Sequence, residues 1–144
     1  MDDVQVVDVP HQNWNAVWES NYEPVVIADR IFIGAPFHDV PEEVEYKLIL
    51  DPNMSFGTGH HPTTNMILGA MLAHDYSGKS FLDFGCGSAV LGILACKMGA
   101  EGLGIEIDEH AANAAAANVQ LNDVPDMTVV CGDATSITSQ KFDY

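Results

Sequence analysis

With 144 residues and 47% hydrophobic content, the chain is long and apolar enough for one packed domain, which excludes intrinsic disorder as its overall state. Five basic residues against 21 acidic ones give a formal charge of −16, which excludes tight non-specific binding to a phosphate backbone. What remains is an acidic protein that is soluble by itself or draws a basic partner.

The opening stretch, MDDVQVVDV, has no basic or apolar signal-peptide region, and Lys97 and Glu101 break the apolar runs well short of a membrane span. The expectation is a cytoplasmic protein without a membrane partner. Cys86, Cys96 and Cys131 show no metal-type pairing and no disulfide framework. They read as buried small hydrophobes in a reducing compartment.

Ten of the acids fall in residues 1–46, opposed only by Arg30, so residues 1–50 read as a lead-in to the rest. NWNAVWESNY (13–22) suits a short helix with Trp14 and Trp18 on one face. PVVIADRIFIG (24–34) reads as extended with a turn near Ala28–Asp29, APFHDVPEEVEY as loop, and KLILD (47–51) as a short strand.

From residue 51 the pattern alternates. DPNMSFGTGHHPTT is a loop punctuated by glycine and proline, and TTNMILGAMLAH (63–74) has helical spacing, with Ile67, Leu68, Met71 and Leu72 in one stripe. KSFLDF is a buried-type strand, SAVLGILACKMG a helix, EGLGIEI a second strand, and DEHAANAAAANVQLN an alanine-rich helix for which propensity alone accounts. MTVVCGD (127–133) is a third strand, and KFDY begins a further element. Strands of continuous apolar character alternating with helices predict an α/β fold: a parallel sheet covered on both faces, the first half of a doubly wound domain over residues 51–144. Ligands of such sheets sit beyond the carboxyl ends of the strands, here Asp83–Gly87, Glu106–Asp108 and Gly132–Asp133.

Gly85 and Gly87 leave room for a sharp turn and a close ligand, and the helix expected to start near Ser88 aims unpaired amides into the same space. Glu106 ends the next strand where a carboxylate can accept from both ribose hydroxyls. Asp133 ends the third, where an adenine edge would lie. A nucleoside with a charged tail fits this set. As alternatives, the two glycines could serve the turn alone, and Glu106 and Asp133 could be helix caps. The spacing Gly85-Cys86-Gly87-Ser88-Ala89-Val90 lacks the third glycine of a dinucleotide fingerprint. With Asp83 two residues ahead it matches the D-x-G-x-G pattern of S-adenosylmethionine enzymes instead.

Four stretches, LDPNMSFGTGHHPTT, FLDFGCGSAVLGI, GIEIDEHA and NWNAVWESNY, together resemble the ribosomal protein L-eleven methyltransferases (PrmA-type) in order and content, from about residue 12 to 144. The resemblance implies a Rossmann-like class I methyltransferase domain that uses S-adenosylmethionine to methylate lysine or N-terminal amino groups of a ribosomal protein, with no direct nucleic-acid partner. It places Gly85 on the methionine portion of the cofactor, Glu106 on the ribose and a hydroxyl contact at Thr64. Phe56, Thr58 and Gly59 fall in the loop that closes over the cofactor. Thr63 and Thr64 also suit a helix start as caps.

This sequence departs from the family at Asn53, His60, Ala89 and Glu106, where glycine, threonine, glycine and aspartate are usual. Ala89 is tolerable at a packing position and Glu106 keeps the carboxylate. His60–His61 has no third ligand at metal spacing, so no metal is expected. The family's amino-terminal recognition domain and acceptor-side segment have no counterpart, and no catalytic residue is assigned. The chain therefore reads as a fragment, whose first sheet strand is expected to present an unpaired edge prone to self-association. Competing readings are a nucleic-acid or small-molecule methyltransferase of the same fold, a non-catalytic cofactor-binding fragment and, last, a dehydrogenase.

Overall fold

A computed structural model describes residues 22–52, 59–137 and 140–144. The helix expected around Trp14 and Trp18 lies outside the described residues.

The chain enters through a hairpin of β1 (Val25–Ile27) and β2 (Ile31–Gly34), paired antiparallel with Val25 opposite Ile33. β3 (Tyr46–Ile49) joins β2 in parallel. The hairpin turn falls where the sequence places it. Ala28 and Asp29 have φ of 50° and 54°, and the Arg30 amide closes on the Ile27 carbonyl at 3.0 Å. Two consecutive left-handed residues match the right-handed twist of the flanking strands.

α1 (Pro62–Met71) follows, then a second sheet of β4 (Ser80–Phe84), β5 (Glu101–Glu106) and β6 (Met127–Cys131), parallel throughout and in that spatial order. α2 (Val90–Lys97) and α3 (Glu109–Leu121) make the two crossovers. Right-handed connections that step the same way across a sheet leave both helices on one face. That face carries Asp83, Gly102, Gly104 and Met127. A side chain at Gly92 or Gly102 would strike Met127, so these glycines let α2 lie close on the strands. On the other face Leu82, Leu103 and Val130 are half-buried, and Phe84 is 57% exposed.

One core runs through both sheets. Ile27, Ile31, Ile33, Leu48 and Leu50 of the lead-in pack in the same cluster as Leu68 and Met71 of α1 and Ile93 and Leu94 of α2. At about 1.5–3 kcal/mol for each fully buried aliphatic side chain, this shared cluster is the main force holding the hairpin against α2. Of the stripe expected on α1, Leu68 and Met71 are buried, but Ile67 is 42% exposed, because the helix turns only a narrow face to the core. Cys86 is buried and Cys96 half-buried; burial lifts their thiols to about 12 and about 11. Cys131, at the end of the outer strand, is exposed, contrary to its expected burial.

The outer edge of β4 is not bare. The Tyr144 amide donates to the Ser80 carbonyl at 3.1 Å and the Leu82 amide to the Tyr144 carbonyl at 3.0 Å, the pair of bonds that brackets a parallel pairing of Phe81 with Tyr144. Asp143 reinforces this by accepting from the Ser80 amide and hydroxyl, both at 2.9 Å. KFDY thus begins an element, as expected, and lies against the strand edge that was expected to stand open.

Ala28 is exposed, so its methyl contributes strain and no packing. Ala28→Gly is expected to raise the unfolding free energy by about 1 kcal/mol, read from urea denaturation. A loss of stability would contradict the left-handed turn.

Candidate functional site

The site begins with a direction change. β4 delivers the chain to its carboxyl end at Phe84, and α2 starts six residues later. Gly85 (φ 73°), Gly87 (φ 51°) and Ala89 (φ 62°) are all left-handed. α2 therefore begins at Val90, with Ala89 at its N-cap, two residues later than the expected start at Ser88. Three alternate left-handed residues consume the chain that would have made the first helical turn. Gly85 has nothing within 4 Å of where a Cβ would stand, so its backbone borders open space. Ala89 is fully buried. Packing alone would tolerate a methyl there, as the sequence suggested, but its backbone angle is one that glycine adopts more readily.

The turn is tied to the end of β5. The Gly85 and Cys86 amides both donate to the Ile105 carbonyl, at 2.7 and 3.0 Å. Oε2 of Glu106 accepts from the Gly87 amide at 2.9 Å, and Oε1 from the Asp108 amide at 3.2 Å. Glu106 thereby bridges two strand-end turns and holds its carboxylate at their mouth. It is not a helix cap. That role at α3 belongs to Asp108, whose Oδ1 accepts from the Ala111 amide at 2.9 Å.

Asp83 lies beneath the turn, only 7% exposed, with Oδ2 accepting from the Gly92 amide at 3.1 Å. Burial raises its carboxyl to about 6; the Gly92 bond opposes the rise and the Glu106 charge adds to it. Asp83, Gly85 and Gly87 line a cavity of about 190 Å³ together with Thr64, Cys86, Val90 and Leu91. Thr64 thus meets the glycine turn across some twenty residues of sequence. Neither Thr63 nor Thr64 caps α1. Proline is preferred at the first helical position, so with Pro62 there the cap falls on His61, whose Nδ1 accepts from the Thr63 amide at 3.3 Å.

Asp133 follows β6 by two residues. Its Oδ1 accepts from the Thr135 amide at 2.8 Å and hydroxyl at 2.6 Å, capping one turn of 3-10 helix at Ala134–Ser136. Those bonds, the hydroxyl's first, hold its carboxyl below the ordinary range. Its neighbourhood therefore matches the cap alternative. Gly59 is buried with φ 85°, and a side chain there would strike Ile33. Phe56 and Thr58 lie outside the described residues. His60 Nε2 donates to the Glu23 carbonyl, 2.9 Å away, and among the described residues no group of three metal-type side chains converges.

Two asparagines that sequence reasoning passed over sit at the back of the site. Asn118 is fully buried; its Oδ1 accepts from the Asp51 amide at 2.9 Å and its Nδ2 donates to the Ser88 carbonyl at 3.0 Å. One turn on, Asn122 accepts from the Ile49 amide at 2.8 Å and donates to the Ile49 and Asn118 carbonyls, at 2.6 and 2.8 Å. Helical spacing of two amides in an alanine-rich stretch was the available signal. A larger cavity of about 390 Å³ lies at the opposite, amino ends of the strands, lined by Gly78, Lys79, Ser80, Gly99, Ala100, Glu101, Asp126 and Asp143. Its Gly78 and Gly99 are also left-handed, but among the described residues no helix starts beside them, and parallel sheets bind ligands at their carboxyl ends.

The sequence pattern of the family described as "Ribosomal protein L11 methyltransferase (PrmA)" matches residues 1–144. A ribosomal protein L11 methyltransferase of Phocaeicola vulgatus is 41% identical over 138 residues, which cover 94% of this chain and 49% of the relative. One from Bacteroides fragilis is 43% identical over 128 residues, 88% of this chain and 46% of the relative. The crystal structure of a ribosomal protein L11 methylase from Lactobacillus delbrueckii subsp. bulgaricus superposes with a TM-score of 0.71 at 26% identity, covering 85% of this chain and 64% of that one. This chain thus spans about half the length of the curated relatives it matches.

Asp83 carries a pH signature. Below about pH 4 its carboxyl is neutral folded and unfolded; between 4 and 6 only the unfolded chain gives up the proton; above 6 the folded chain bears a buried charge. Its contribution to stability therefore falls as pH rises from about 4 to 6. Asp83→Asn, which keeps an oxygen for the Gly92 amide, is expected to gain roughly 2–4 kcal/mol on the parent between pH 4 and 7 in urea denaturation. A constant difference across that range would contradict the buried carboxyl.

Proposed function

Since this chain belongs to the ribosomal protein L11 methyltransferase (PrmA) family, we propose that its glycine turn binds S-adenosylmethionine for methyl transfer to amino groups of a ribosomal protein. The observation that carries the reading is the carboxylate of Glu106, held by the Gly87 and Asp108 amides at the mouth of the turn. Each of its oxygens retains a lone pair for a ribose hydroxyl. Gly85 would let the methionine portion approach the backbone, and Thr64, across the same cavity, would offer a hydroxyl. Ile107, 76% exposed next to Glu106, offers an apolar surface to a base. For Asp133, already capping its own turn, contact with the adenine edge would fall to the oxygen away from Thr135.

Charge separates this reading from a dinucleotide one. Asp83 and Glu106 put two carboxyls beside the turn, where a pyrophosphate would meet repulsion. A sulfonium with an ammonium group meets attraction. S-adenosylmethionine supplies an electrophilic methyl carbon, and the protein has to hold it, exclude water and align it with the acceptor. The acceptor nitrogen must be neutral to attack; for a lysine, with a reference pKa of about 10.4, that costs roughly 4–5 kcal/mol at pH 7. Desolvation of the amine offsets such a cost. The acidic lead-in, with ten carboxylates in residues 1–46 against Arg30, suits a basic protein substrate and disfavours nucleic acid.

Calorimetric titration tests the reading. The chain is expected to bind S-adenosylmethionine and S-adenosylhomocysteine in the micromolar range and to leave NAD unbound. Glu106→Ala should weaken binding by about 1.5–3 kcal/mol, roughly ten- to 150-fold. Unchanged affinity in that variant would remove the ribose role, and preference for NAD would overturn the function.

A further inference from the structure

Asn118 occupies a place no ligand-facing role explains. It is on α3, fully buried, and the oxygen and nitrogen of its side-chain amide face segments far apart in sequence: Asp51, two residues past the end of β3, and Ser88, inside the glycine turn. Ser88 is 1% exposed and stands between the left-handed Gly87 and Ala89, so whatever fixes its carbonyl limits the rotation of the whole turn.

Asn122 shows how the β3 side is held. Its amide gives and takes one hydrogen bond with Ile49, as a neighbouring strand residue would. Four residues of helix, a rise of about 6 Å, separate Asn122 from Asn118. Two residues of extended chain, about 6.6 Å, separate Ile49 from Asp51. The near match lets α3 act as an edge partner for the chain that leaves β3. Of these two rungs, the Asn118 rung alone extends to the glycine turn; Asn122 stops at the strand and at the Asn118 carbonyl.

We propose that Asn118 is a positioning residue that couples the exit of β3 at Asp51 to the glycine turn at Ser88, so that the turn is held in the spacing its ligand needs. The consequence for cofactor affinity rests on the function proposed above; the coupling itself does not. Asn122 contributes stability without that coupling, which makes it the matched control.

The test is amide hydrogen exchange on the 144-residue chain without ligand, with β5 amides as internal reference, followed by titration with S-adenosylmethionine. Asn118→Ala is expected to speed exchange at Asp51 and at Gly87 together, each at least tenfold relative to β5, and to raise the Kd at least tenfold. Asn122→Ala is expected to speed exchange at Ile49, to leave Gly87 unchanged and to hold the Kd within twofold. Should Asn118→Ala not fold, Asn118→Ser, with a shorter polar side chain, is read in the same way. Unchanged Gly87 exchange in the Asn118 variant, or equal effects of both variants on Gly87 and on Kd, would overturn the coupling. A parent chain that binds no S-adenosylmethionine would overturn the proposed function instead, while the exchange comparison would still decide the coupling.

Discussion

Everything at the candidate site depends on how the chain leaves β4. Five residues, Gly85 to Ala89, must reverse direction and start α2, and they do so by alternating left-handed residues at 85, 87 and 89. Such a path leaves backbone amides in need of acceptors, because the chain is in neither strand nor helix. β5 supplies them. The Ile105 carbonyl takes Gly85 and Cys86, and the Glu106 carboxylate takes Gly87. The turn and the end of β5 are therefore one unit, and the carboxylate that faces the mouth is also the one that holds the mouth in shape.

The layers beneath serve the same unit. Asp83 reaches under the turn to the Gly92 amide, and the missing side chains at Gly92 and Gly102 let α2 descend far enough for that bond to form. Asn118 closes the back by holding the Ser88 carbonyl. A buried amide or carbonyl left without its partner costs about 1–3 kcal/mol, so each of these polar groups is a point where a single substitution would loosen the site. In the proposed function, the acidic surroundings are what would select the ligand. Two carboxyls beside the turn would favour a nucleoside with a positively charged tail over one with a phosphate.

Much of this was legible in the sequence because the signals were local. Periodicity located β4, α2, β5, α3 and β6 to within two residues or so, and the pairing of Gly85 and Gly87 with an acid at the next strand end pointed to the edge proposed for the ligand. The hairpin at Ala28–Asp29 was readable from its flanking apolar runs. What escaped depended on contacts between distant segments. Nothing local to Asn118 and Asn122 shows that they would serve as strand partners for Ile49 and Asp51. The start of α2 was misplaced because the left-handed angle at Ala89 is a property of the folded turn and not of alanine. His61 displaced Thr63 and Thr64 as the cap of α1 because Pro62 took the first helical position.

The account's central claim is that the ligand lies across the glycine turn at the carboxyl ends of β4 and β5. The most direct test is a heteronuclear NMR titration of the chain with S-adenosylhomocysteine, following every backbone amide. The largest shifts should fall at Gly85, Gly87, Ile107 and Asp108, with a second group at Thr64. Shifts centred instead on Gly78, Gly99, Glu101 and Asp126, at the larger cavity on the amino ends of the strands, would contradict it.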